Sequence, residues 1–213
     1  MSKSTAVLID GGFLLRQLKQ ASKDKTHATA ADIYNFANKT LASDEELFRM
    51  YYYDCPPYEG TQTNPISNST HDYATAPYTR ARKAMLSNLT LRDHVAFRKG
   101  QLSFDGWQID DGVARELMKE AKDGTPARHL ESADIFPKFS QKRVDMNIGL
   151  DVAWLSSKRI VHRIILVTAD SDFIPAMKFA RREGVQIVLV PLRGTPKKEL
   201  LEHADIVRSV TFP

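Results

Sequence analysis

The segment from Arg163 to Val190 constrains the fold more than any other part of the chain. Its β-branched apolar run through Thr168 is typical of a strand buried on both faces, and it breaks at Ala169-Asp170-Ser171-Asp172. Apolar residues then return at helical spacing, Gly184 ends the helix, and a second apolar run follows. This order predicts a βαβ unit, and therefore an α/β protein built on a parallel sheet.

The acids that follow the first strand of this unit are candidate functional residues. In open parallel sheets, binding and catalytic groups collect where the strands end at their carboxyl side. Asp170 and Asp172 stand at such an end, with Ser171 between them. The alternative is that Asp172 or Ser171 only caps the following helix, since carboxylates and hydroxyls are ordinary N-cap residues.

The same order of strand, acid and helix occurs at the start of the chain. Thr5 to Ile9 is a short apolar run, Asp10-Gly11-Gly12 follows it, and helical spacing continues from Phe13 to Leu18. If the two strands are near neighbours in one sheet, Asp10 and Asp170 project into the same crevice. The glycines permit a tight turn, but they form neither the dinucleotide fingerprint nor a Walker loop, and Asp10 could equally be a helix cap.

A fourth acid lies at the start of the helix predicted from Val144 to Ser157. Asp145 is in its first turn, where the helix dipole favours a carboxylate, and Gly149 leaves open space one turn later. Asp151 lies inside an apolar stripe, so we expect it to pair with Lys142 or Arg143 or to turn toward the site. The helix carries two apolar stripes, which predict burial over most of its circumference: Val144, Ile148, Val152, Leu155 and Met146, Leu150, Ala153, Trp154.

The remaining sequence predicts a single domain over residues 1–213. Two segments without clear periodicity, near 56–77 and 110–140, are read as insertions, the first as an exposed loop and the second with a short helix over 110–124. Between the motifs we expect a helix over 29–41 capped by Thr29, a strand over 47–53, a helix over 79–91 and a strand or hairpin over 95–104. Asp54 ends its strand and is read first as a turn residue, with a peripheral site role as the alternative.

Composition limits the class of protein. Of the 213 residues, 42% are hydrophobic and 26% charged, and no apolar stretch approaches the roughly 20 residues that span a bilayer. There is no basic and apolar leader, and the one cysteine, Cys55, cannot form an internal disulfide. These features predict a cytoplasmic protein.

The positive charge of the chain permits contact with nucleic acid. The formal net charge is +4, and several basic residues fall on one predicted helix and the strand after it. They could line a path for a phosphate backbone, although each could also belong to an ordinary solvated face. The candidates are Arg80, Arg82, Lys83, Arg98 and Lys99.

The four acids need a cation if they lie together. Like charges at close range raise one another's pKa, so a cluster of carboxylates binds protons unless a metal ion compensates it. Oxygen ligands suit Mg²⁺ or Mn²⁺, whereas the histidines and the cysteine show no zinc spacing. Such an ion can supply hydroxide at neutral pH and stabilise the attacking and leaving oxygens of a phosphoryl displacement.

The motifs together resemble the NYN domain family, a branch of the PIN-like nucleases, over nearly the whole chain. The residues that carry the resemblance are Val7-Leu-Ile-Asp10-Gly-Gly, Lys142-Arg-Val-Asp145 with Asp151, Thr168-Ala-Asp170-Ser-Asp172-Phe173 with Pro175, Gly184-Val-Gln-Ile-Val, and Leu200 with Ala204-Asp205. The resemblance implies a three-layer α/β/α fold with a mostly parallel sheet, and a ribonuclease that needs Mg²⁺ or Mn²⁺. It also implies that Asp10, Asp145, Asp170 and Asp172 form the acidic cluster, with Lys142 and Asp151 flanking it and Ser171 in support.

Three functions remain open at this stage. The first is a metal-dependent nuclease that hydrolyses single-stranded RNA and leaves a 5′-phosphate. The second is a non-catalytic RNA-binding or regulatory module, because many family members carry an asparagine three residues after the first aspartate and this chain has Phe13. The third is a phosphohydrolase of the haloacid dehalogenase type, which ranks last because Gly12 occupies the position where that class has a second acid.

Overall fold

The fold was analysed in a computed structural model that describes residues 2–21 and 28–212. Its strands are β1 Lys3–Asp10, β2 Glu45–Asp54, β3 Thr61–Thr63, β4 Thr70–Asp72, β5 Val95–Lys99, β6 Gln101–Ile109, β7 Ile135–Lys142, β8 Arg163–Val167, β9 Gln186–Leu189 and β10 Ile206–Val207. Its α-helices are α1 Gly11–Ala21, α2 Ala30–Lys39, α3 Pro77–Thr90, α4 Asp111–Asp123, α5 Val144–Ser157, α6 Ile174–Arg182 and α7 Lys198–Glu202. Among the described residues, none of these helices is both long and apolar enough to cross a membrane.

Six strands form the central sheet in the order β10-β9-β8-β1-β2-β5, and each neighbouring pair is parallel. The predicted βαβ unit is β8, α6 and β9. The sequence prediction of an α/β protein with a mostly parallel sheet is therefore confirmed.

Helices cover both faces of this sheet. Alternate strand residues such as Val7, Ile9 and Met50 pack with buried residues of α1, α2 and α3. Their neighbours in the strands, such as Leu8 and Tyr51, are equally buried and point to the opposite face, where α5 and α6 pack. The result is the expected three-layer α/β/α arrangement.

The chain divides into two compact units. The larger comprises Met1–Pro56, Ala84–Gln101 and Lys142–Pro213, and the smaller comprises Pro57–Lys83 and Leu102–Gln141. The insertions predicted near 56–77 and 110–140 fall almost wholly in the smaller unit. The single domain over residues 1–213 stays a prediction.

The smaller unit has more regular structure than the sequence predicts. In the expected loop, β3 pairs antiparallel with β4. Outside that loop, β6 pairs with β7 in a second two-stranded sheet. Strands of three residues are too short to show a period in the sequence, which is why the loop was expected there. Partly buried aromatic rings of this unit pack against one another; they belong to Tyr58, Tyr73, Phe104, Trp107 and Phe139.

One element is less buried than predicted. The second apolar stripe of α5 faces solvent, with Met146, Leu150 and Trp154 exposed by 68%, 60% and 48%. The prediction that α5 is buried over most of its circumference is therefore wrong. A helix in an outer layer buries one face against the sheet, and the stripe that begins at Val144 already fills that role.

Candidate active site

The predicted acids lie at the point where the order of strands reverses. From β1 the chain builds the sheet toward β2 and β5, whereas β8 leads to β9 and β10 on the other side, and β1 and β8 are neighbours. Ile9 is in register with Val167, so Asp10 ends β1 beside the segment that leads to Asp170. A crevice at such a switch point, beyond the carboxyl ends of the strands, is where open α/β sheets bind ligands.

Asp10 is a buried carboxylate, with 7% of the residue exposed. Its Oδ1 accepts a hydrogen bond of 3.0 Å from the backbone N–H of Phe13. Burial raises the pKa of Asp10, the Phe13 N–H and the charge of Arg16 lower it, and the charges of Asp145 and Asp170 raise it further. The polar support of Asp10 thus comes from the backbone at position 13, and the Phe13 side chain is buried in the core.

Asp145 feels the same group of charges from the first turn of α5. Partial burial raises its pKa, Asp170 and Asp172 raise it further, and Arg16 lowers it. Gly149 lies one turn later, and a Cβ placed there would meet no atom within 4 Å. The carboxylates of three separate elements therefore act on one another, and the space expected beside Asp145 is present.

Asp170 also has a local structural task. Its Oδ1 accepts a hydrogen bond of 3.0 Å from the N–H of Asp172, which caps the short 3₁₀ turn Ser171–Phe173 that precedes α6. The capping residue is therefore Asp170 rather than Asp172 or Ser171. Ser171 Oγ lies 3.4 Å from Lys197 Nζ, which donates to it.

Asp151 has an ion-pair partner that the sequence did not indicate. Arg98 donates to both of its carboxylate oxygens, over 2.7 Å from Nε and 3.1 Å from Nη2, and the hydroxyl of Tyr53 donates over 2.8 Å. The expected ion pair exists, but its partner is Arg98 rather than Lys142 or Arg143. Asp151 thus ties α5 to β2 and β5.

The flanking residues before α5 lie at the surface. Lys142, the last residue of β7, is exposed. Arg143 occupies the N-cap position with φ 75° and makes no side-chain cap hydrogen bond. A non-glycine residue rarely adopts this left-handed conformation, so the entry to the helix that carries Asp145 holds local backbone strain.

Asp54 lies beside the first residue of α1, Gly11, which follows Asp10. It ends β2, is 3% exposed, and accepts a hydrogen bond of 2.7 Å from the N–H of Cys55. A Cβ at Gly11 would lie 2.8 Å from Asp54 Oδ2 and 2.7 Å from Tyr52 Cζ. Position 11 therefore needs a glycine for α1 to begin against β2.

Three of the predicted nucleic-acid residues are already engaged in the fold. Arg82 is buried, Lys83 forms an ion pair of 2.7 Å with Glu59, and Arg98 binds Asp151. Arg80 and Lys99 are exposed. The structure thus leaves these two as the accessible members of the predicted patch.

Two cations near the acids were missed by the sequence analysis. Arg16 is an exposed residue of α1 whose charge reaches both Asp10 and Asp145. Lys197 comes from the loop after β9 and reaches Ser171. Their positions in the sequence could have indicated them. Arg16 lies on the helix that begins after Asp10, and Lys197 lies in the loop that follows a parallel strand, so both elements start at the end of the sheet that carries the acids.

The donor set fits a hard divalent cation held partly by water. Within residues 2–21 and 28–212, no three His, Cys, Asp or Glu side chains are grouped closely enough to hold an ion. Mg²⁺ commonly binds through one or two carboxylates together with waters and substrate phosphate, and does not require a complete protein cage. Neighbouring acids raise the pKa of Asp10 and of Asp145, and a bound cation would stabilise the ionised form of both.

The fold and the site define a class, namely three-layer α/β/α proteins with an acidic cluster at the switch point of a parallel sheet. Residues 106–210 match the model of the NYN domain, a PIN-like nuclease family. This match confirms, over residues 106–210, the resemblance found in the sequence. The match includes Asp145, Asp170 and Asp172, whereas Asp10 lies before it.

One solved structure shows a similar fold. A protein of unknown function, VPA0982 from Vibrio parahaemolyticus, is similar with a TM-score of 0.51 and 15% identity, covering 98% of this chain and 93% of that one. A structure described as "The Structural basis for Sirtuin Substrate affinity" aligns with a TM-score of 0.38 and 10% identity, over 99% of this chain and 89% of the other. No curated protein matches the chain significantly.

Proposed function

We propose that this chain is a ribonuclease that hydrolyses phosphodiester bonds of single-stranded RNA with the help of Mg²⁺ or Mn²⁺. The observation that supports the proposal is the position of Asp10 at the end of β1 and of Asp170 after the neighbouring strand β8, where the charges of Asp145 and Asp170 act on Asp10. The match of residues 106–210 to a nuclease family supports the reaction type.

The acids divide into two groups by their position. Asp10 and Asp170 come from the two strands that flank the switch point and would hold the ion, with Asp145 and Asp172 completing its shell directly or through water. A divalent ion bound there supplies hydroxide at neutral pH and stabilises charge on the phosphate. The N–H of Phe13 fixes the orientation of the Asp10 carboxylate for this role.

The remaining polar residues position the acids or the substrate. Arg16 places a positive charge near Asp10 and Asp145, where its guanidinium can bind a phosphate of the substrate. Lys197 and Ser171 orient the acidic turn, and Asp151 fixes α5 through Arg98 and Tyr53. Lys142 stands before α5 as a further supporting residue, and Arg80 and Lys99 remain candidate contacts for more distant phosphates.

Replacing Asp170 by Asn tests the reaction. The amide keeps the shape and the cap of the 3₁₀ turn but removes a negative ligand, so cleavage should fall on the order of a hundredfold or more. Cleavage of a labelled single-stranded RNA in Mg²⁺, Mn²⁺ and chelator measures it. Asp93→Asn, an equal charge change at an exposed position elsewhere, is the matched control.

Two outcomes would reject this mechanism. Cleavage that persists in chelator would show that no divalent ion is needed, and equal cleavage by the Asp170→Asn and Asp93→Asn variants would remove Asp170 from the site. RNA binding without cleavage in any metal favours the second candidate function, a non-catalytic RNA-binding module. The apolar Phe13 three residues after Asp10 is the observation that supports that alternative.

A further inference from the structure

The outer surface of α6 carries an exposed basic and aromatic face. Lys178 and Arg182, one turn apart, are exposed, and the Phe179 ring lies between them in sequence with 38% of the residue exposed. Within the described part of the chain, neither Lys178 nor Arg182 forms an ion pair. We call these three residues the α6 face.

Helix α6 runs from the acidic turn to a basic depression, and the α6 face occupies its second half. Helix α6 follows the turn that contains Asp170 and Asp172 without a break. Its far end opens into a depression of about 510 Å³ lined by Lys178, Arg181, Arg182, Gly184, Val185, Gln186 and Asp205. Gln186 begins β9, so the depression lies at the edge of the sheet opposite the acids.

One arginine of this depression is fixed and two cations stay available. Arg181 donates to Asp205 over 2.9 Å and to the carbonyl of Glu202 over 3.4 Å. Lys178 and Arg182 therefore supply the charge that can meet an anion. Complementing the negative end of the helix dipole is the ordinary reason for basic residues in a last turn, and it applies to Arg182 as well.

We propose that the α6 face is the path of the RNA strand on one side of the cleavage site, with its backbone continuing into the basic depression. This inference rests on the proposed ribonuclease function. Nine residues of helix span about 13 Å, a distance that a few nucleotides cover. Lys178 and Arg182 contact successive phosphates, and the Phe179 ring gives a base a surface for stacking, which is how sequence-tolerant single-strand sites are built.

The test compares two charge reversals in matched helical positions. Arg182 and Lys39 are both exposed and both in the last turn of a helix, α6 and α2, so reversing either has the same cost to its helix dipole. Binding of a fluorescent single-stranded RNA is measured by anisotropy in chelator, where no cleavage is expected, over a series of salt concentrations. Arg182→Glu should weaken binding on the order of tenfold and reduce the salt slope by about one, whereas Lys39→Glu should change neither greatly.

A third variant examines the aromatic contact. Phe179→Ala should weaken binding by a factor that does not depend on salt, because stacking involves no counterion release. Its fold is checked by circular dichroism, since the ring is partly buried. Unchanged RNA affinity in a folded Phe179→Ala protein would remove stacking from the proposed path.

The possible failures separate the path from the function. If the natural chain cleaves RNA but Arg182→Glu binds it as well as Lys39→Glu does, the path is overturned and the ribonuclease stands. If the natural chain neither binds nor cleaves RNA, both are overturned. A poly-glutamate peptide that binds as tightly as RNA, with the same loss in Arg182→Glu, would overturn the path in favour of an acidic protein partner.

Discussion

Asp10 is a single residue whose ionised form makes the fold less stable. Its pKa is raised by burial and by two neighbouring acids, which means that the fold disfavours its ionised form. Near neutral pH the ionised carboxylate therefore makes folding less favourable than a neutral group of the same shape would. A bound cation would reverse this penalty.

Asp10→Asn should consequently raise the melting temperature of the metal-free protein. The Asn Oδ1 can still accept the hydrogen bond from Phe13, so the removal of charge is the main change. Thermal denaturation in chelator measures the rise. Addition of Mg²⁺ or Mn²⁺ should then raise the melting temperature of the natural chain more than that of the variant. A lower melting temperature of Asp10→Asn in chelator would contradict the prediction, with Asp93→Asn as the charge control.

At the scale of single elements, two helical glycines should respond in opposite ways to the same substitution. Gly11 begins α1 against Tyr52 and Asp54 of β2, so Gly11→Ala must shift buried atoms and should lower the free energy of unfolding by about 1–3 kcal/mol. Gly149 lies inside α5 with open space around it, so Gly149→Ala should raise that free energy by roughly 0.5–1 kcal/mol. Urea denaturation of both variants measures the difference, and equal effects would show that the close approach at position 11 is not maintained in solution.

The elements also show which features can be predicted from the sequence and which cannot. The long apolar strands and the acids that follow them in sequence were predictable because both signals are local. A strand shows as a run of apolar residues, and the acid is the residue that ends this run. The partner of Asp151 was not, because Arg98 lies 53 positions away on β5 and periodicity carries no information about which distant strand becomes a neighbour. The exposure of Trp154 was also not predictable, because an apolar stripe on a helix does not indicate whether another element will cover that stripe.

On the scale of the whole molecule, a buried ion cluster ties distant parts of the larger unit together. The Glu45 side chain at the start of β2 is fully buried and accepts hydrogen bonds from Arg163 of β8 over 2.8 Å and from Arg208, after β10, over 2.9 Å. Burial raises the pKa of Glu45, but hydrogen bonds from Arg208, the Ala42 N–H and Arg163 lower it further, so it lies below its ordinary value. The stabilisation is present above the ordinary pKa of 4.5 and is lost as pH falls through the lower pKa of the folded state.

Glu45→Gln should therefore destabilise the protein strongly. It removes the carboxylate that Arg208 and Arg163 share, and Arg163 keeps only the longer contact of 3.3 Å to the more exposed Asp44. The free energy of unfolding should therefore fall by about 3–5 kcal/mol at neutral pH. The variant should also lose less stability than the natural chain between pH 4.5 and more acid values, because the titrating group is gone. Urea denaturation across this range measures both effects, with the exposed neighbour Glu46→Gln as control; a loss no larger than that of Glu46→Gln would contradict the role of the cluster.

The place of β1 between β2 and β8 has a consequence for the order in which the protein is made. The ribosome synthesises β1 well before β8, its partner on one side, which follows more than 150 positions later. Until then β1 has an unpaired edge, which a growing chain must shield from other strands. A product terminated before β8 would carry Asp10 without Asp170, so translation must reach position 170 before the pair of acids can exist.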